Sequence, residues 1–187
     1  MLHAEAWRPT IIPAPLSAIS RRLPDPFERV FLQEYPKVVA IAYRVLADRS
    51  AAEDVAQEVF LKFHRSFSPD SERASGWLHA AAAHSALNVI RGERRRAQRE
   101  TTHALDRSQA PAANPEHLVE EAERRREVQR ALSGLPERSA AILMLRYSGL
   151  SYAEVATALG IRVGNVGTLL RRAEEALRKE VNRATSQ

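Results

Sequence analysis

The stretch 151–179, SYAEVATALGIRVGNVGTLLRRAEEALRK, constrains the fold of this 187-residue chain more than any other. Ser151 stands at the head of an apolar periodic run and has Glu154 three residues on, the spacing at which serine and glutamate cap a helix start reciprocally. Ala156 is small where two crossing helices must approach closely. Gly160 follows four residues later, where the first helix must end in a left-handed backbone conformation that is strained for residues with a Cβ. Val166 comes six residues after that and can plug the angle between the helices. Val155, Leu159, Ile161 and Leu169 fill the remaining inward positions. A small residue, a turn glycine and a buried aliphatic in this order describe two helices held at a fixed crossing by a tight turn, a helix-turn-helix.

The second of these helices turns Arg162, Asn165 and Thr168 outward near its start, with Arg171 and Arg172 one turn later. Asparagine and arginine match adenine and guanine edges in a major groove, and arginine and threonine also bind phosphate. The formal charge is +5, carried mainly by arginine. Arginine's planar fork suits phosphate oxygens, although so modest an excess points only weakly to a nucleic-acid partner.

Other functions lack their chemistry here. The chain has no cysteine, which removes disulfides, thiolate nucleophiles and thiolate zinc sites and agrees with a cytoplasmic location. His3, His64, His79, His84, His103 and His117 show no metal-site spacing, and His79 and His84, five apart, fall on different helix faces. No glycine-rich phosphate loop or nucleophile motif is present, so no catalytic residue, metal or cofactor is expected. No apolar run reaches the ~20 residues that cross a bilayer, so no membrane insertion is expected. The first residues lack the basic start and long apolar stretch of a signal peptide.

An all-α architecture is expected, with two small helical domains joined by a flexible linker and the helix-turn-helix in the second. Alanine, leucine, arginine and glutamate dominate, and glycine is scarce. Residues 1–26 carry Pro9, Pro13, Pro15, Pro24 and Pro26 and read as a disordered extension. Residues 27–100 form the first domain. Phe27, Val30, Phe31, Val38, Ile41, Ala42 and Val45 recur at helical spacing, with Pro36 expected to split or kink that helix. Ser50 and Glu53 have the spacing of a capping box for the next helix, whose inward stripe is Ala52, Val55, Ala56, Val59 and Phe63. After a turn at 68–71, a third helix runs from about Ala74 to the arginines near 96, and its alanines 80–83 permit close packing. Residues 101–115, TTHALDRSQAPAANP, read as the linker. Residues 116–187 form the second domain, with a charged helix to about Leu132 and further helices near 137–147, 151–159 and 163–181.

Two further surfaces stand out in the first domain. Asp54, Gln57, Glu58 and Leu61 share the helix face opposite the apolar stripe, an acidic patch with an exposed leucine that could dock a basic helix or could be an ordinary solvated face. The third helix ends in RGERRRAQRE, more arginine than complementing a helix C-terminus requires, which favours a nucleic-acid backbone.

The run FLQEYPKVVAIAYRVLADRSAAEDVAQEVFLKFHRSF, then GWLHAAAAHSALNVIRGERRR, then LPERSAAILMLRYSGLSYAEVATALGIRVGNVGTLLRRAEEALR, resembles an extracytoplasmic-function (ECF) bacterial sigma factor. The resemblance spans about Phe27 to Val181. It implies that Asp54, Gln57, Glu58 and Leu61 bind the RNA polymerase core. It implies that Trp77, His84, Asn88, Arg91, Arg94, Arg95 and Arg96 hold the −10 promoter element and help open it, a flipped base being readable on its edges. It implies that Arg162, Asn165, Thr168, Arg171 and Arg172 read the −35 element. Promoter DNA and core polymerase are the implied partners, and an anti-sigma factor is a further candidate that no residue marks. The chain departs from the common pattern at Ala80, His84, Gly167 and Leu169, where arginine, asparagine, lysine and arginine are usual. These losses leave a second reading, a sigma-like decoy that binds a regulator and not promoter DNA. A stand-alone regulator of another family would need a sensor or dimerisation domain, which residues 27–100 do not suggest.

Overall fold

The computed structural model describes residues 25–103 and 116–185, all of whose regular structure is helical. The expected extension therefore lies, up to residue 24, outside the described residues, as does the linker from residue 104 onward. The elements are α1 (Pro26–Leu46), α2 (Arg49–Ser66), α3 (Ala74–His103), α4 (Glu116–Gly134), α5 (Glu137–Tyr147), α6 (Tyr152–Leu159) and α7 (Val163–Thr185).

Asp25 caps α1 by accepting from the Phe27 backbone N–H at 3.0 Å, and Pro26 fills a first-turn position where no N–H is missed. Pro36 neither splits this helix nor ends it. An interior proline costs ~3 kcal/mol, but burial on both sides of it overrides that cost. Before it, Phe31 packs on Tyr35 and Phe60, and after it Val38, Ile41 and Ala42 are fully buried. The helix closes on Ala47 in a left-handed conformation (φ 54°), with its N–H bonded to the Tyr43 carbonyl at 2.8 Å.

Asp48, not Ser50, caps α2, accepting from the Ala51 N–H at 2.7 Å. Ser50 lies inside the helix, and Glu53 turns to Arg49 at 2.8 Å instead of closing a capping box. The competing aspartate two residues earlier starts the helix sooner. The expected apolar stripe of α2 is buried, and Phe60 joins it.

The third helix is longer than the sequence reading allowed. It runs through to His103, so residues 101–103 of the expected linker are helical. Ala97, Gln98, Arg99 and Glu100 are good helix formers, and no proline follows until Pro111. At 30 residues α3 is about 45 Å long, and it is the spine of the molecule. It packs on α1 and α2 and also on α4, α5 and α6. Ala82, Ala83 and Ala86 are fully buried, so neighbouring helices approach its backbone closely. The two helical units thus share one continuous apolar core, from Val38 and Phe63 through Leu87 to Ile142, Leu145 and Val166.

Candidate nucleic-acid interface

The helix-turn-helix forms as its spacing dictates. Ser151 Oγ accepts from the Glu154 N–H at 3.2 Å, and Glu154 Oε2 accepts from the Ser151 N–H at 2.8 Å. These bonds hold the Glu154 carboxyl below its ordinary pKa, the backbone bond first and the serine side chain second, against an opposing desolvation cost. Gly160 adopts φ 60° and ψ 40° at the end of α6, and the Ile161 N–H reaches back to the Ala156 carbonyl at 3.0 Å. Val155, Ala156 and Val166 are buried at the crossing, while Leu159, Ile161 and Leu169 are partly buried against the core.

Arg162, in the turn just before α7, and Asn165, Thr168, Arg171 and Arg172, on its outer face, are all exposed. They flank the helix N-terminus, where the positive end of the helix dipole favours an anionic ligand. Gly167 and Leu169 both have packing neighbours. Leu169 packs on the core, and a Cβ on Gly167 would lie 3.7 Å from the Tyr152 ring. Tyr152 itself is exposed at the start of α6, with the Arg146 guanidinium 5.6 Å from its ring centroid. Nothing in the linear spacing marked Tyr152 as a neighbour of α7 or Arg146 as a neighbour of Tyr152. From α5, the Tyr147 hydroxyl donates to Glu174 on α7 at 2.9 Å, and that bond to a carboxylate raises the tyrosine's pKa.

The acidic face of α2 is present as expected. Asp54, Gln57, Glu58 and Leu61 are exposed, Leu61 to 56%, and Glu58 pairs with Lys62 at 2.6 Å.

The α3 residues divide into three groups. Trp77 is half-buried and stacks on Phe67 at 5.5 Å and near Phe63 at 5.8 Å, in an aromatic cluster that ties α2 to α3. Asn88, Arg95 and Arg96 are exposed. His84, Arg91 and Arg94 instead meet the second helical unit. His84 Nδ1 lies 2.5 Å from Glu137 Oε1, Arg91 donates to the Leu135 carbonyl at 2.8 Å and the Ser133 carbonyl at 3.4 Å, and Arg94 donates to Ser133 Oγ at 3.1 Å. Beyond them a cleft of about 1170 Å³ opens between α3 and α4, lined by Arg94, Arg124, Arg126 and Arg130 with Glu93 and Glu127. Ala80, also half-buried, lies on the same helix.

Among the described residues, no group of three or more histidine, aspartate or glutamate side chains could hold a metal ion, and no helix is long and apolar enough to cross a membrane.

Comparison with known proteins bears on both units. The family model described as sigma-70 region 2 matches residues 30–96, and that described as sigma-70, region 4 matches residues 125–177. The RNA polymerase sigma-H factor of Pseudomonas aeruginosa is 32% identical, over 82% of this chain and 84% of its own length. The ECF sigma-E factor of Escherichia coli is 33% identical, over 68% and 72%. The ECF sigma factor SigE of Mycolicibacterium smegmatis is 29% identical over 86% of this chain, which spans 63% of that relative's length. A solved structure of the Bartonella quintana sigma factor RpoE with the anti-sigma factor NepR is 20% identical, with a TM-score of 0.44, over 83% of this chain and 96% of that one. With both sigma-70 regions matched in order and about a third of the aligned residues shared with relatives that it covers for most of their length, the chain belongs to the ECF RNA polymerase sigma factors.

Proposed function

We propose that this chain directs bacterial RNA polymerase in the cytoplasm to specific promoters. Residues 27–100 would engage the core enzyme and the −10 element, and residues 116–187 would read the −35 element. The observation that carries this reading is the pairing of two exposed faces of opposite chemistry. The polar and basic face of α7 sits on a helix-turn-helix with its cap, turn and plug in place, and an acidic face with a prominent leucine lies on α2.

At the start of α7, Arg162 in the preceding turn and Asn165 and Thr168 on the helix have the reach and donors to read base edges, and Arg171 and Arg172 anchor phosphates. On α3, Trp77, His84 and Asn88 hold the −10 strand, and Arg91, Arg94, Arg95 and Arg96 neutralise its backbone. Asp54, Gln57, Glu58 and Leu61 dock the polymerase core, with the carboxylates setting orientation and the leucine supplying apolar area.

Run-off transcription with purified core polymerase tests the reading. The wild-type chain should yield discrete transcripts from genomic templates. Asp54→Arg should abolish them while leaving the melting curve unchanged, because Asp54 is exposed. No initiation above core alone overturns the proposal and favours the decoy. Full activity of the Asp54→Arg variant removes the α2 assignment.

A further inference from the structure

Where α7 leaves the turn, its polar face is interrupted by apolar groups that the core does not cover. Val163, the first residue of α7, is 51% exposed, and Tyr152, at the start of α6, is 42% exposed. Gly167 stands one helical turn beyond Val163 on the same side of α7. A Cβ placed on it would lie 3.7 Å from Tyr152 Cε2 and 4.0 Å from the tyrosine hydroxyl oxygen, which is ordinary contact. Packing therefore does not require a glycine here, although glycine weakens a helix relative to alanine. Its missing side chain leaves a shallow recess, floored by backbone, with Val163 on one side and the Tyr152 ring on the other. The ring is held from behind. The Arg146 guanidinium lies 5.6 Å from its centroid and also donates to the Leu150 carbonyl at 3.2 Å, so a cation–π contact restrains the tyrosine. Gly164 carries no side chain either, and nothing lies within 4 Å of where its Cβ would be. A ligand can approach the helix backbone closely at that point.

In the major groove, the apolar group that distinguishes one base from the others is the C5 methyl of thymine. We propose that the recess formed by Val163, Gly167 and Tyr152 reads a thymine of the −35 duplex by taking up that methyl group. The inference rests on the assignment of α7 to duplex recognition above, and it adds a reader of different chemistry. Arg162 and Asn165 select bases through hydrogen bonds, whereas the recess selects through apolar contact. By helical spacing, Asn165 and Gly167 lie on opposite flanks of Thr168, so the asparagine and the recess meet different base pairs.

Replacing thymine by deoxyuridine deletes the methyl and leaves every hydrogen-bonding group of the base in place. The probe is the duplex that the full-length chain enriches most from a fully randomised library, resynthesised with deoxyuridine at each thymine in turn. The readout is affinity by fluorescence anisotropy. At one position the replacement should weaken wild-type binding by about fourfold, the effect of removing one buried methyl or methylene group. Val163→Ala takes away a wall of the recess and Gly167→Ala fills it, so each variant should bind the thymine and deoxyuridine duplexes alike. Val163→Ile should keep the discrimination. Gly167→Ala should melt no lower than wild type, because alanine favours the helix and its methyl clears Tyr152, so unfolding does not account for its lost discrimination. An enriched duplex without thymine, a wild type indifferent to the methyl at every thymine, or a discrimination unchanged in both alanine variants overturns the recess and leaves the reading of α7 standing. Enrichment of no duplex sequence at all overturns both.

Discussion

Glu34 and His79 are the two buried polar or charged residues among the described residues, and a double-mutant cycle on them offers a sharp test of how the first unit is held together. His79 Nε2 meets Glu34 Oε2 at 2.7 Å between α3 and α1, and His79 Nδ1 has no hydrogen-bond partner. His79→Leu fills the space with apolar atoms but removes the group that hydrogen-bonds Glu34. What remains is the Lys37 ammonium at 3.7 Å. Removing one partner of a buried pair costs about 3–5 kcal/mol, and the residual lysine puts this case near the lower end. Glu34→Met leaves both imidazole nitrogens unpaired, at a cost of about 2 kcal/mol. The double variant removes every polar group from the contact, including the orphaned Nδ1, and should lie within about 1 kcal/mol of wild type. The singles thus sum to about 5 kcal/mol, and the coupling between them is about 4 kcal/mol. Urea unfolding measures all four proteins, with an unchanged slope required for the comparison. Two singles that each cost under about 1 kcal/mol and simply add would refute the view that this contact is a desolvated pair.

Three further outcomes follow from local structure. Ala47→Gly relieves a left-handed alanine and should raise stability by about 0.5–1 kcal/mol after the glycine's unfolded-state entropy is deducted, and a loss in urea unfolding contradicts it. Glu154 has a folded pKa below its ordinary value of 4.5, so its contribution is fully present above that value and lost as pH falls through the lower folded one. Glu154→Gln should therefore flatten the acid side of the Tm–pH profile and leave the alkaline side unchanged. Arg171→Ala should weaken duplex binding for all sequences and lower the salt slope by about 1, whereas Asn165→Ala should change preference at one base position; uniform weakening would remove Asn165 as a base reader.

The helix-turn-helix was legible because every device that forms it is local. Ser151 and Glu154 cap within three residues, Gly160 follows Ala156 by four, and Val166 follows Gly160 by six, so spacing alone defines the turn. The exposed acidic face of α2 was legible for a similar reason, since exposure on one helix follows from its buried stripe. Local signals failed where two of them competed. Asp48 outcompeted Ser50 as a cap, and tertiary packing overrode Pro36. Contacts between distant residues left no trace in the periodicity. Glu34 and His79 lie 45 residues apart, and His84 and Glu137 lie 53 apart. Only the folded helices show that Arg91 and Arg94 of α3 face the end of α4, or that Tyr152 lies beside Gly167.

Mapping transcription start sites after overexpression tests the assignment of promoter recognition most directly. New start sites should share a two-block upstream element at constant spacing, and they should disappear with Asp54→Arg expressed at the same level. The absence of new start sites, or the same sites with and without Asp54→Arg, would contradict the assignment.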